Sequence, residues 1–347
     1  MKKNKVILIG AINEGNVPTC GETMKNQLFV KRFNELFDEV ITVDTLNWQK
    51  RPWILVKLFL TLLFNHGAKV IISASGAAKY LMNFLYYVPL KRDVYFWVVG
   101  GDFSEFIDSG FYNVNALHNL TCILVQGKSM VTSLARYGLT NVVYVPNSKP
   151  INFHPTITTK DVNEPYRFVF LSRVHPDKGI GEIIEATQIL NNQGLKERFT
   201  VDFYGKIEPG YEANFQQAVS SLENVHYKGF LNLMNDDGYK TLSSYDVMLF
   251  PTYWDGEGFP GIVIDANIAG LPIIASDWNL NKEVIVVDET GYIIPVKDSK
   301  ALAKEMQSFI VGDRDLYKMR NNCVRYISQY DYREVLSYEL MKKINLL

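Results

Sequence analysis

Short apolar runs alternate with longer segments of helical periodicity along almost the whole chain, and this alternation restricts the fold more than any other feature. In the first half the runs are 5–10, 40–44, 69–73, 94–99, 122–126 and 142–146, with helical patterns between them at 22–36, 53–65, 77–86, 111–118 and 128–137. The second half repeats the plan: strand candidates at 166–171, 199–204, 225–228, 247–250, 273–275 and 291–295, helical patterns at 179–190, 212–222, 261–269 and 300–310. Strands this short and this apolar are buried on both faces, which calls for a parallel sheet with helices on either side. The pattern predicts an α/β protein of two Rossmann-like, doubly wound domains, 1–150 and 151–330. The stretch 146–159, rich in Pro, Ser, Asn and Thr and without apolar periodicity, reads as the linker. Residues 331–344 read as one more amphipathic helix, within a tail (331–347) expected to pack back toward the first domain. Ligands of such sheets sit beyond the carboxyl ends of the strands, so the two domains are expected to face each other across a cleft.

Residues 250–276, FPTYWDGEGFPGIVIDANIAGLPIIAS, carry the strongest chemical signal. A strand end runs into Pro251 and a polar loop with Glu257, Gly258, Pro260 and Gly261. A helix pattern follows, and Gly270 and Pro272 stop it. Free N–H groups and the dipole at a helix start favour an anion, typically a phosphate. Glu257 precedes that start and Asp265 lies within the helix, so an acid flanks the anion site on each side. That suits a ligand with phosphate in the middle and hydroxyl-bearing sugars at both ends, a nucleotide sugar. Acids near helix starts also serve as plain caps, and the loop alone leaves both readings open. Arg173 and Lys178, in FLSRVHPDKGIGEIIEA, follow a strand end and add a guanidinium fork and a point charge for phosphate oxygens. They meet the Gly258 loop if their strands are neighbours; otherwise they are solvated charges around a turn.

Net charge is −1 and pI about 6.5, so no global basic field points to nucleic acid, and none is expected as a partner. Cys20, Cys122 and Cys323 are far apart and the five histidines are scattered. No metal or cofactor is expected from them, and the cysteines fit a reducing cytoplasm. The longest apolar run, 53–64, is broken by Lys57 and falls short of the roughly 20 residues that span a bilayer.

The motif Ser–Arg–x3–Asp–Lys–Gly at Ser172 to Gly179, followed from Pro251 by Pro–Thr–x4–Glu–Gly–Phe–Pro–x4–Asp–Ala–x3–Gly–x–Pro–Ile–Ile–Ala–Ser, resembles the retaining nucleotide-sugar glycosyltransferases of family 4, of the kind that builds bacterial polysaccharides, which have the GT-B fold. NVHYKG at 224–229 resembles the family strand leading to the base pocket, Thr290–Gly291–Tyr292 its later glycine turn, and Gly21 the glycine after the first strand. The match is specific over about 165–300 and diffuse over 1–150. The resemblance implies that Arg173 and Lys178 grip the donor diphosphate and that Glu257 sits by the donor sugar hydroxyls. The amides of Gly258 and Phe259 would face sugar and phosphate, with Gly261 in the same donor-binding set. Asp265 would hold the ribose diol, backbone around Phe230 would face the base, and Gly21 would let the first loop approach the phosphate. There are two departures. The family usually has glutamate where Asp265 stands, and the shorter side chain must sit closer or use a water. Family members also often have a histidine after the fourth strand of the first domain, where this chain has Gly100–Gly101–Asp102. Asp102 is expected to take part of that role, to bind the acceptor hydroxyl, or to cap the next helix.

The implied reaction moves a hexose from a nucleoside diphosphate sugar, a UDP-sugar being favoured, to a hydroxyl of a saccharide or lipid-linked acceptor with retained configuration. Arg173, Lys178 and the helix start would stabilise the leaving diphosphate in place of a metal. Acceptor binding falls to the first domain. There 47–64 and 80–92 mix Trp48, Trp53, Lys50, Arg51, Lys57, Lys91 and Arg92 with apolar residues, a composition that either rests on an anionic membrane or packs as core. The expected location is the cytoplasm, at the inner face of the membrane. A nucleotide-sugar epimerase of the same fold would need an acid/base set that the first half supplies sparsely. A dinucleotide oxidoreductase is opposed by GAINEGNVPTCG, which lacks G-x-G-x-x-G. A non-catalytic sugar-binding partner of another transferase stays open through the missing histidine.

Overall fold

The computed structural model describes residues 4–18, 20–87, 92–101, 103–161 and 163–347. The chain divides into two compact units, Met1–Lys149 with Tyr330–Leu347, and Pro150–Gln329.

In the first unit β1 (Lys5–Gly10), α1 (Gly21–Leu36), β2 (Glu39–Asp44), α2 (Trp53–Phe64), β3 (Lys69–Ser73), α3 (Ala78–Tyr87) and β4 (Val94–Trp97) alternate as the periodicity predicts. Then come α4 (Phe103–Asp108), α5 (Val114–His118), β5 (Cys122–Val125), α6 (Lys128–Ala135) and β6 (Val142–Tyr144). The six strands pair in parallel in the order β2-β1-β3-β4-β5-β6. Phe29 and Phe33 of α1 bury against Val6, Leu8, Ile71 and Trp97 of the sheet.

The second unit runs β7 (Tyr166–Leu171), α7 (Ile180–Asn192), β8 (Phe199–Tyr204), α8 (Glu212–Ser220), β9 (Val225–Tyr227), α9 (Asp236–Ser243), β10 (Val247–Phe250) and α10 (Gly261–Ile268). It continues with β11 (Ile273–Ser276), α11 (Asn281–Val284), β12 (Gly291–Ile294), α12 (Ser299–Ile310) and α13 (Leu316–Tyr326). Its sheet is also parallel, in the order β12-β11-β10-β7-β8-β9. The chain moves outward from β7 to β9, then returns to lay β10 on the other side of β7. The switch point of this sheet therefore lies between β7 and β10.

Several expectations need correction. The 111–118 helix is only Val114–His118, because Asn113 caps it by accepting from the Asn115 amide at 3.0 Å. Phe111 and Tyr112 instead pack on Phe106 and Phe103. The 331–344 helix is broken into α14 (Tyr332–Val335) and α15 (Tyr338–Lys343), since Ser337 starts a new helix by accepting from the Leu340 amide at 3.3 Å. The 146–159 stretch has no helix or strand, yet from Pro150 it belongs to the second unit: Phe153 stacks on Tyr239 at 5.7 Å. Gly291, read both as the start of the 291–295 strand and as part of the resemblance's glycine turn, opens β12 as the strand reading expects. A Cβ there would stand 2.1 Å from the Ile273 carbonyl oxygen, so the residue permits close strand pairing.

Candidate functional site

Leu171 ends β7, and the chain passes Arg173 into a single helical turn, Pro176–Lys178. His175 caps that turn, its Nδ1 accepting from the Asp177 amide at 3.1 Å. Gly179 follows with φ +82°, and a Cβ there would meet the Pro251 carbonyl oxygen at 2.3 Å. Only glycine combines that backbone with that approach, so Gly179 is what lets the β7 turn close on the end of β10. The closure is hydrogen-bonded: the Tyr253 amide donates to the Asp177 carbonyl at 2.8 Å.

This contact joins the two motifs. Lys178, 7% exposed, forms an ion pair with Glu257, whose side chain is 14% exposed. Thr252 Oγ1 lies 3.5 Å from the same carboxylate, and Asn279 Nδ2 donates to the Glu257 carbonyl at 2.7 Å. Trp254 forms the platform of the cluster. Arg173 lies 4.6 Å and Lys178 5.6 Å from its ring centre, and His175 meets it edge-on at 4.9 Å. Both cations thus lie within cation–π range of one ring. Trp278 Nε1 fixes the Trp254 backbone by donating to its carbonyl at 2.8 Å. Arg173 also reaches Glu208 at 3.4 Å, a half-exposed pair that holds it weakly.

The loop then enters α10. Pro260 sits at the cap position with no side-chain hydrogen bond to the first turn, and Gly261 is the first helical residue. Phe259 and the span from Val263 to Ile268 are buried, which anchors the helix rigidly behind the loop. Asp265 is 4% exposed and accepts from the Tyr239 hydroxyl at 2.7 Å. Burial first, and then the Asp265 charge, push the Tyr239 phenol well above its usual range. Phe230 follows β9 on the same carboxyl edge and is 78% exposed.

The structure therefore brings Arg173, Lys178, Glu257 and Gly258 together at the switch point between β7 and β10, with Gly261 at the head of α10. Asp265 stands deeper, engaged by Tyr239. In the first unit Gly21 is the first residue of α1, where a Cβ would meet nothing within 4 Å, so packing inside the unit does not demand glycine. Asp102 lies outside the described residues. Sequence reasoning missed Trp254, Tyr239 and Asn279, and took Gly179 only as part of a motif, without its role in the closure. Trp254 had a usable signal: a large aromatic in a loop of turn formers, with no helix or strand to bury it. It also missed Lys25, one turn into α1, which is buried with its ammonium 3.4 Å from the Val98 carbonyl. Burial brings its pKa down to about 7 against the opposing pull of Glu22. Among the described residues no group of three or more His, Cys, Asp or Glu could hold a metal ion, and no helix is long and apolar enough to cross a membrane.

A family profile described as "Glycosyl transferases group 1" matches residues 157–330. The amylovoran biosynthesis glycosyltransferase AmsK of Erwinia amylovora is 30% identical over 162 residues, 45% of this chain and 38% of that protein. The N,N'-diacetylbacillosaminyl-diphospho-undecaprenol alpha-1,3-N-acetylgalactosaminyltransferase of Campylobacter jejuni is 23% identical over 286 residues, 82% of this chain and 68% of that protein. The chain covers less than half the length of curated relatives such as AmsK. Among solved structures, Anabaena Alr3699/HepE in complex with UDP aligns with a TM-score of 0.70 at 14% identity, over 99% of this chain and 100% of that one. The apo form of the lipopolysaccharide outer core galactosyltransferase WaaB aligns with a TM-score of 0.71 at 13% identity, over 99% and 100% of the two chains. These likenesses show the fold, GT-B, with its two parallel six-stranded sheets flanked by helices.

Proposed function

The chain belongs to the glycosyl transferases group 1 family, and from that premise we propose that it moves a hexose from a nucleoside diphosphate sugar to a hydroxyl of a saccharide or lipid-linked acceptor in bacterial surface polysaccharide synthesis. The anomeric configuration is retained and no metal is used. One observation carries this reading: Arg173, Lys178 and Glu257 converge around Trp254 at the switch point of the second sheet.

The chemistry follows from the charges. Breaking the sugar–phosphate bond places negative charge on the departing diphosphate, and fixed donors aimed at that charge lower the barrier. Arg173 offers two parallel N–H bonds to phosphate oxygens, Lys178 a point charge, and the uncapped start of α10 its backbone amides. Glu257, tied to Lys178, takes hydroxyls of the donor sugar, with the Gly258 and Phe259 amides beside it. Asp265, with Tyr239 as its partner, serves the ribose, and the backbone at Phe230 serves the base. A UDP-sugar is favoured by the UDP bound in Alr3699/HepE, and a lipid-linked acceptor by the diphospho-undecaprenol in the name of the Campylobacter relative. The site of action is the cytoplasm.

The test is a thermal-shift screen against UDP, GDP, ADP and CDP with their common sugars, in EDTA. A selective rise with UDP and one UDP-sugar supports the reading, since a ligand that binds only the folded state stabilises it by mass action. A flat response to every nucleotide overturns the donor site and favours a non-catalytic partner of another transferase.

A further inference from the structure

The α2 helix, WILVKLFLTLLF, is apolar on nearly every side, yet the first unit packs only one stripe of it. Ile54, Leu58 and Leu62, spaced four residues apart, are buried. Trp53, Leu55, Val56, Phe59, Leu60, Leu63 and Phe64 are exposed, Phe64 to 76%. The patch extends to α3, where Tyr80 is exposed and its ring lies 5.5 Å from that of Trp48. Soluble monomers rarely leave contiguous apolar surface of this kind uncovered, and its presence marks an interaction face.

Charge says what covers it. Between Asp44 and Asp93 the sequence holds no acidic residue, but it holds Lys50, Arg51, Lys57, Lys69, Lys79, Lys91 and Arg92, in a chain whose net charge is −1. Lys50 and Arg51 precede α2, and Lys57 rises from its exposed side. A recess beyond the end of the helix is lined by His66, Lys69, Arg92 and Asp93. There Arg92 Nη2 donates to the Leu62 carbonyl at 2.8 Å, while its buried Nε and Nη1 find no acceptor among the described residues. Buried guanidinium N–H groups without an acceptor are costly, and an anionic oxygen that reaches either of them relieves part of that cost.

We infer that the first unit docks on an anionic bilayer, with α2 lying in the plane of the interface. Its exposed Trp, Val, Leu and Phe side chains enter the headgroup–acyl boundary, and Lys50, Arg51 and Arg92 meet lipid phosphates. Lys57 reaches back to the headgroups along its own apolar stem. Twelve residues make a helix of about 18 Å, too short to cross and suited to lying flat. This inference goes beyond the transfer reaction and stands without it.

The experiment floats the full chain with vesicles of phosphatidylcholine alone or enriched in phosphatidylglycerol, at low and high salt. Wild type is expected to float with the anionic vesicles and to be released by salt. Val56→Glu with Phe59→Glu is expected to bind at least about tenfold more weakly, from lost apolar burial and added negative charge. Lys50→Glu with Arg51→Glu is expected to weaken binding to anionic vesicles only. All these positions are exposed, so the variants should keep the wild-type melting temperature, which is measured alongside. Wild type that stays with the unbound fraction, or a Val56→Glu/Phe59→Glu variant that floats as wild type does, overturns the inference. So does a wild-type dimer, seen by sedimentation velocity, that the same variant converts to monomer without vesicle binding, since the face would then belong to a second copy of the chain.

Discussion

Lys178 is asked to do two things, pair with Glu257 and grip a diphosphate, and the conflict can be measured. The two side chains are 8% and 14% exposed. At an effective dielectric near 20 and a charge separation of about 4 Å, their attraction is about 4 kcal/mol, part of which desolvation takes back. Lys178→Met, which leaves the carboxylate without its partner, should cost about 3 kcal/mol of stability. A double-mutant cycle with Glu257→Met should return a coupling of about 2 kcal/mol in urea unfolding followed by circular dichroism. Binding should move the other way. Glu257→Gln removes the charge that competes for the ammonium and repels the ligand, so UDP should bind about five- to tenfold more tightly by titration calorimetry. Sugar transfer by the same variant should fall at least about tenfold, because the hydroxyl acceptor is weakened. A coupling below about 0.5 kcal/mol, or weaker UDP binding in Glu257→Gln, would refute the argument that one ammonium serves both anions.

Arg173→Ala should lose at least about 2 kcal/mol of transition-state stabilisation, read as a drop of thirtyfold or so in kcat/KM; near-normal turnover removes Arg173 from the site. Gly179→Ala should destabilise by about 2 kcal/mol or more, since the new Cβ would clash with Pro251 in a left-handed backbone; an unchanged urea midpoint contradicts the closure described. Lys25 carries a pH prediction. Its pKa is about 7 when folded and near 10.5 when unfolded, so above pH 7 the unfolded chain binds the extra proton and stability rises. This contribution, up to about 1.4 kcal/mol per pH unit, should appear between pH 7 and 10 in wild type and be absent from Lys25→Met, compared by urea unfolding at each pH. Parallel curves for the two proteins would show that Lys25 titrates normally.

Most strands were legible because their signal is local: β1, β3, β7, β8 and β10 have the residues that apolar runs between turn formers predict. The broken tail was not, because its apolar spacing alone does not reveal that Ser337 competes with the helix for the Leu340 amide. Periodicity also fails on α2, whose ten apolar residues form no single stripe; which of them face the sheet depends on how the helix lies on it. Lys25 looks like any surface lysine until α1 packs beside the end of β4, where Val98 offers its carbonyl.

The sequence by itself determined the alternation of strands and helices, and the residue types that can bind a phosphate and sugar hydroxyls: Arg173, Lys178, Glu257, Gly258 and Asp265. These are properties of short windows, where backbone preferences and side-chain chemistry act within a few residues. Only the tertiary structure decided that β10 pairs with β7, and with it the Lys178–Glu257 ion pair, the Trp254 platform and the Gly179–Pro251 contact. It likewise engaged Asp265 with Tyr239 and left one face of α2 uncovered. Each of these joins residues far apart in the chain, and such pairs are set by sheet order and packing, which no local pattern encodes.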